Sequence, residues 1–167
     1  MPATSDVKSS NIRVTGRAGY IGTHICLELL RQGANVAVLD NLSNGNAGAL
    51  GRVNSLAGRS VAFVEGDLRD RSVVNTLLDD YAITAVIHLA GLKAVGESAQ
   101  FPLQYYEYNV GGTIILCDAM HAHGVRQMIC SSSATVYGDP QFLPLTESHR
   151  TVPTNVYGRT KLIIEGL

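Results

Sequence analysis

The sequence predicts an α/β fold, a doubly wound parallel sheet with helices on both faces, and three observations carry that prediction. Short β-branched runs alternate with longer amphipathic stretches, the pattern of successive βαβ units. A glycine-rich turn, Gly16, Gly19 and Gly22, stands where the first run gives way to the first amphipathic stretch. An acidic residue, Asp40, closes the second run.

The elements follow in order. Ile12–Thr15 is the first expected strand. After it Ile21, Ile25 and Leu29 recur every fourth residue, with Cys26 and Leu30 alongside, so a helix there lays an apolar stripe on the sheet and Gly33 ends it as a C-cap. Further strands are expected at Asn35–Asp40, Val61–Glu65, Ala85–Ala90 and Gln127–Ser131. Helices are expected over part of Gly48–Ala57, over Asp70–Asp80 and over Pro102–Ala122; a last one opens near Val156 and is still running at Leu167. The Pro and Thr content of Pro140–Pro153 marks the longest surface connection. Right-handed crossovers give the strand order 3-2-1-4-5, with the apolar fifth strand on an edge. An apolar edge left unpaired favours association. The chain is therefore expected to be truncated after the helix carrying Tyr157 and Lys161.

With 167 residues, 46% hydrophobic and 16% charged, the chain is long enough for one domain, expected over 11–167, with residues 1–10 as a flexible N-terminal arm. Thirteen basic against 14 acidic residues leave a net charge of -1, and without a basic run neither nucleic acid nor a membrane surface is an expected partner. No apolar stretch has the length of a membrane span, and Cys26, Cys117 and Cys130 lack the paired spacing of a zinc site or a disulfide framework. They read as reduced cysteines of a cytoplasmic protein, with no metal site. His88 has no second ligand at a useful spacing and is expected to bond within its strand.

The turn Val14-Thr15-Gly16-Arg17-Ala18-Gly19-Tyr20-Ile21-Gly22 opens a helix directly after a strand, the setting in which such glycines bind a dinucleotide. Gly16 permits the tight turn, Gly19 lets a pyrophosphate approach the backbone, and Gly22 allows close helix–sheet packing. The helix N-terminal amides then bind phosphate. Asp40 accepts hydrogen bonds from ribose hydroxyls and repels a 2′-phosphate, which favours NAD over NADP. Asp67 and Lys93 follow the third and fourth strands, at the strand ends where open α/β sheets bind ligands. Tyr157 and Lys161 lie four apart on the last helix and share a face, so the ammonium favours the phenolate. Arg13 stands out, because an unpaired guanidinium on a central strand costs several kcal/mol, roughly 3–5. Arg17 sits in the phosphate turn itself.

These residues, with Asp-Asn-Leu-Ser-Asn, Val-Glu-Gly-Asp-Leu-Arg, Ala-Gly-Leu-Lys-Ala-Val-Gly-Glu-Ser, Ser-Ser-Ser-Ala-Thr-Val-Tyr-Gly and Tyr-Gly-Arg-Thr-Lys, resemble the extended short-chain dehydrogenase/reductases from about Asn11 onward. Leu92-Lys93-Ala94-Val95-Gly96 points to the branch that epimerises nucleotide sugars rather than to the related 4,6-dehydratases. The resemblance implies a Rossmann-type NAD-binding fold, NAD as a bound cofactor, a UDP-hexose substrate and inversion at C4 through a transient 4-keto sugar, a step of galactose metabolism. It places the pyrophosphate on Gly16, Gly19, Tyr20 and Ile21, the adenosine ribose on Asp40, Asn41 and Asn44, and the adenine on Asp67 and Leu68. Ala90, Gly91, Lys93 and Asn109 line the cofactor further on. Ser133 bonds the sugar 4-hydroxyl, Tyr157 takes its proton, and Lys161 contacts the nicotinamide ribose and lowers the Tyr157 pKa. It also implies a C-terminal substrate domain absent from this chain, and a homodimer through helices 102–122 and 156–167, whose apolar faces simple packing on the sheet explains equally well. Family members commonly carry Gly at position 17 and an aliphatic residue at 13. A cofactor-binding module without catalysis and a 4,6-dehydratase-like enzyme are the alternatives; the second needs an acid/base pair where this sequence has Ala134 and Thr135.

Overall fold

The computed structural model describes residues 10–16, 19–43, 48–79 and 83–167. The expected arm, apart from Ser10, lies outside them, as do Arg17 and Asn44. Contacts divide the chain into two compact units, one of residues 1–90 and 115–129, the other of residues 91–114 and 130–167.

The first unit is built on the parallel sheet. Its strands are β1 (Asn11–Thr15), β2 (Asn35–Asp40), β3 (Ala62–Glu65), β4 (Ala85–His88) and β5 (Met128–Cys130), in the order β3-β2-β1-β4-β5 that the sequence predicts. β4 and β5 each end earlier than expected, at His88 and Cys130. Alternate residues of the strands enter opposite cores, as a period of two requires. Ile12, Val14, Val36, Val38 and Ile87 pack with Cys26 and Leu30 of helix α1 (Tyr20–Arg31) and Val53 of α2 (Gly48–Ala57). Ala37, Leu39 and Val86 pack with Val74, Leu77 and Leu78 of α3 (Arg71–Asp79) and with Leu116, Ala119 and Met120.

The buried row of α1 is Gly22, Cys26 and Leu30, and Ile21 is 63% exposed. Of the expected Ile21-Ile25-Leu29 stripe, Ile25 and Leu29 are half-buried and pack against the core beside Cys26 and Leu30, and Ile21 alone stays exposed. Gly33, at φ +92°, follows the C-cap Gln32, and the Ala34 N–H bonds Leu29 O (3.0 Å), closing the helix in the left-handed manner. Arg13 is 2% exposed and satisfied: its Nε donates to Leu77 O at 2.8 Å, in the last turn of α3, where carbonyls lack helical partners and the helix dipole is negative. β5 leaves Ile129 65% exposed.

The second unit is mostly helical. α4 (Val95–Gln100), expected as loop from the sequence, is followed by α5 (Pro102–Tyr105), a π-helical stretch (Tyr106–Gly111) and the start of α6 (Gly112–Ala122), whose residues from 115 on belong to the first unit. The single helix expected over Pro102–Ala122 is therefore widened in its middle, with the Gly112 N–H reaching Glu107 O. A 3₁₀ turn (Ala134–Tyr137) and α7 (Val156–Glu165) complete it, and α7 closes at Gly166 instead of running through Leu167.

Candidate functional site

In the first unit the parallel strands bring Gly16, Asp40, Asp67 and Ala90 to one edge of the sheet. Gly16 has φ +72°, and a Cβ there would lie 2.2 Å from Ala90 Cα. β1 therefore turns directly against the end of β4, with the Gly16 N–H bonding Leu39 O (3.0 Å) and the Leu89 N–H bonding Thr15 O (2.9 Å). Beneath it Thr15 Oγ1 of β1 and His88 Nδ1 of β4 are 2.6 Å apart, both buried, so His88 bonds across to the neighbouring strand instead of within its own. Gly19 is the N-cap of α1 and has no side-chain cap; the first turn carries no acidic residue, and a Cβ at Gly19 would meet no atom within 4 Å. The protein's own packing does not require glycine there. Unfilled space before uncapped amides fits a phosphate. Tyr20 and Ile21 flank it, 80% and 63% exposed, and Gly22 is buried against the sheet.

Asp40 accepts from the Leu42 N–H at 2.7 Å, which fixes its carboxylate at the end of β2. Asn41 donates to Asp67 at 3.4 Å. Asp67 accepts Nε and Nη2 of Arg69, each at 2.9 Å, and the Arg69 N–H at 2.8 Å. The Arg69 bond foremost, against some burial, holds the Asp67 carboxyl down at about 2. Leu68 packs on the core beside α3.

In the second unit Lys161 is 5% exposed and donates Nζ–H to Ser131 O at 2.8 Å; its ammonium lies 6.0 Å from the centre of the Tyr157 ring. Burial pushes the Lys161 pKa down, opposed by nearby Cys130. Tyr157 occupies the second turn-opening position of α7, whose N-cap Asn155 accepts from the Gly158 N–H at 2.7 Å. A Cβ at Gly158 would lie 2.6 Å from Thr135 O, so the helix start rests on the 3₁₀ turn. Ser133 begins that turn and accepts from the Thr135 hydroxyl (2.9 Å) and N–H (3.3 Å). Both bonds are incoming and leave its own O–H available to donate. Ser132 bonds Glu165 at the far end of α7.

Asn109 is 1% exposed and its amide is fully engaged: Oδ1 accepts from the Leu92 N–H (2.7 Å), and Nδ2 donates to Leu92 O and Thr160 Oγ1 (both 3.0 Å). It holds the segment after β4 onto α7. Gly91, at φ +148°, has that Oδ1 2.9 Å from where a Cβ would be. Lys93 is exposed. Sequence reading does not single out Ser98, which is wholly buried and accepts the Tyr157 N–H at 3.2 Å. Its position within Ala-Val-Gly-Glu-Ser carries no periodic signal.

The first unit is thus a parallel α/β sheet with a glycine turn at its strand ends, and the second carries a Tyr/Lys pair on one helix. The chain belongs to the NAD dependent epimerase/dehydratase family, whose profile matches residues 12–167. It is 54% identical over 154 residues to UDP-glucose 4-epimerase of Bacillus subtilis (92% of this chain, 45% of that protein) and 51% identical over 164 residues to the Homo sapiens enzyme of the same name (94% and 47%). Among solved structures, UDP-glucose 4-epimerase from Bifidobacterium longum in complex with NAD+ and UDP superposes with a TM-score of 0.92 at 44% identity, covering 94% of this chain and 47% of that one. The Stenotrophomonas maltophila enzyme with bound NAD and formylated UDP-arabinopyranose gives 0.90 at 45% identity, with the same coverage. The chain spans about half the length of the curated relatives it matches.

Proposed function

We propose that this chain carries the NAD-binding and proton-transfer residues of a UDP-glucose 4-epimerase, acting on UDP-glucose and UDP-galactose at C4. The observation that carries the reading is the buried Lys161 ammonium held on Ser131 O and facing the Tyr157 ring, in a chain whose relatives bear that name. The open start of α1 supports the cofactor: Gly16, Gly19, Tyr20, Ile21 and Gly22 hold its pyrophosphate, Asp40, Asn41 and Asn44 its adenosine ribose, and Asp67 and Leu68 its adenine. Ala90, Gly91 and Lys93 line it further on. Asn109 serves it by fixing the Leu92 backbone. When bound, NAD supplies a reversible hydride acceptor for the sugar C4.

The chain's own residues manage the proton. Ser133 donates its free O–H to the sugar 4-oxygen, Tyr157 removes the 4-hydroxyl proton and later returns it, and Lys161 stabilises the negative charge on the phenolic oxygen. Burial strengthens that stabilisation, since the ammonium is screened from water. The homodimer through helices 102–122 and 156–167 belongs to the same proposal, supported by exposed Leu103, Ile114 and Ile163, as does a cytoplasmic location. No described helix is long and apolar enough to cross a membrane.

The test is NAD titration of the chain, followed by UDP-galactose/UDP-glucose interconversion with the chain alone and with the C-terminal half of a relative supplied in trans. NAD binding together with interconversion that Tyr157→Phe lowers by about a hundredfold or more is the expected result. Binding with no interconversion in either arm makes the chain a cofactor-binding module without catalysis. Absence of NAD binding by the folded chain sinks the reading.

A further inference from the structure

The start of a helix leaves its first amides without partners, and α7 has its second such amide on Tyr157 itself. Asn155 caps the next one, on Gly158. The Tyr157 N–H instead donates to Ser98 Oγ at 3.2 Å, from a residue 59 positions upstream. Ser98 is 0% exposed, and its O–H donates to Val95 O at 2.6 Å, which fixes the hydroxyl so that a lone pair faces α7.

The segment bearing Ser98 is itself bolted in place. The Tyr105 hydroxyl, wholly buried, accepts from the Ala94 N–H (3.1 Å) and stands at donating distance from Ala94 O (2.8 Å) and Glu97 Oε2 (2.7 Å). Burial, with Glu97 second, pushes this phenol up to about 12, so it stays a donor. Asn109 holds Leu92 at the other end of the segment. From the opposite side Thr160 Oγ1 donates to Tyr157 O at 2.7 Å while accepting from Asn109. Both main-chain groups of Tyr157 are thus held by buried hydroxyls that trace back to the 102–122 helix.

We propose that Ser98 is a positioning residue for Tyr157: its buried hydroxyl sets where α7 begins and so fixes the phenol over the Lys161 ammonium. This rests on the proposed roles of Tyr157 and Lys161. A residue serving only as a cap would alter stability and leave the ring and the ammonium in register. A positioning residue alters their geometry and the rate, but not cofactor affinity.

The experiment compares Ser98→Ala, Ser98→Cys and Ser98→Thr with the unaltered 167-residue chain, using hydrogen exchange of the Tyr157 amide, NOE contacts between the Tyr157 ring and the Lys161 ε-methylene, NAD affinity, and kcat and KM for UDP-galactose. In Ser98→Ala the Tyr157 amide exchanges about tenfold faster, the ring–lysine contacts weaken, NAD affinity stays within about twofold, and kcat falls about tenfold at unchanged KM. Ser98→Thr keeps the acceptor and restores all four. Ser98→Cys, a weak acceptor, falls between, and serves if the alanine variant does not fold. Ring–lysine contacts of full strength in a folded Ala or Cys variant overturn the proposal. So does equal loss of turnover in the Ala and Thr variants. If the amide and ring readouts change as expected but the unaltered chain binds NAD and interconverts nothing, alone or with the C-terminal half of a relative in trans, the positioning holds and the epimerase reading fails.

Discussion

The first and last helices begin in opposite ways. α1 starts at Gly19 with no side-chain cap, no acidic residue in its first turn and open space where a Cβ would stand. α7 starts closed: Asn155 and Ser98 take the amides of Gly158 and Tyr157, and Gly158 rests on Thr135 O. Each start contains a glycine, one for room and one for contact. An uncapped N-terminus keeps about half a positive charge and several donors aimed outward, which suits an anion. A capped one has fewer donors to offer and instead holds a side chain still. The comparison teaches that a helix start meant for a ligand is left unfinished by the protein, whereas one meant to present a reactive group is finished.

The largest effect comes from breaking the turn that carries the open start. Gly16→Ala puts a methyl 2.2 Å from Ala90 Cα at φ +72°, so both the backbone conformation and the strand crossing resist it. A stability loss of about 3 kcal/mol or more is expected by urea denaturation. Gly158→Ala breaks the closed start. Its methyl would meet Thr135 O at 2.6 Å, a carbonyl fixed in the 3₁₀ turn, and the overlap outweighs the better helix propensity of alanine. A loss of about 2 kcal/mol is expected, with the Tyr157 and Lys161 NMR signals displaced.

Gly19→Asp meets no steric obstacle, caps the α1 amides and complements the helix dipole. Stability should rise by about 0.5 kcal/mol in thermal melts while NAD affinity falls at least about tenfold by titration, since the new carboxylate occupies the place of a phosphate. A variant that gains stability and keeps its affinity would mean that the open start is not the phosphate site.

The sheet was legible in the sequence because each strand declares itself locally, by a β-branched run bounded by turn residues, and handedness rules supply the order. The Tyr157–Lys161 pair was legible for the same reason, as two residues four apart on one helix. What stayed hidden depends on distant partners. Arg13 reads as an anomaly until Leu77 O, 64 positions on, supplies its acceptor. Ser98 carries no signal until Tyr157, 59 positions on, arrives. α4 is too short, and too interrupted by Gly96, to show a period, and the π stretch needs a hydrogen-bond register that no side-chain pattern encodes. The stripe held at Ile25 and Leu29 but not at Ile21, because hydrophobic periodicity marks a helix's face without showing which of its turns is covered.

The smallest effect tests how the sheet edge shared by Gly16 and Asp67 tolerates a carboxylate when an anion is to bind there. Asp67 is neutralised in place by Arg69, and its pKa stands at about 2 against an ordinary 3.8. The folded value lies below the unfolded one, so the pair stabilises the fold at every pH above about 3.8, and the stabilisation is lost as pH falls through that value toward about 2. The pair is 28% and 29% exposed, and solvent screening limits its worth to under about 1 kcal/mol. Asp67→Asn should therefore lower stability slightly at neutral pH and flatten the decline between pH 4 and pH 2, read from urea midpoints across that range. Because the carboxylate is also proposed to hold the adenine, Asp67→Asn should lower NAD affinity by about threefold or more at unchanged fold, read by titration at low ionic strength. Affinity that holds or rises would leave the carboxylate with no role beyond neutralising Arg69, in contrast to the Gly19→Asp variant, where an added carboxylate can only repel.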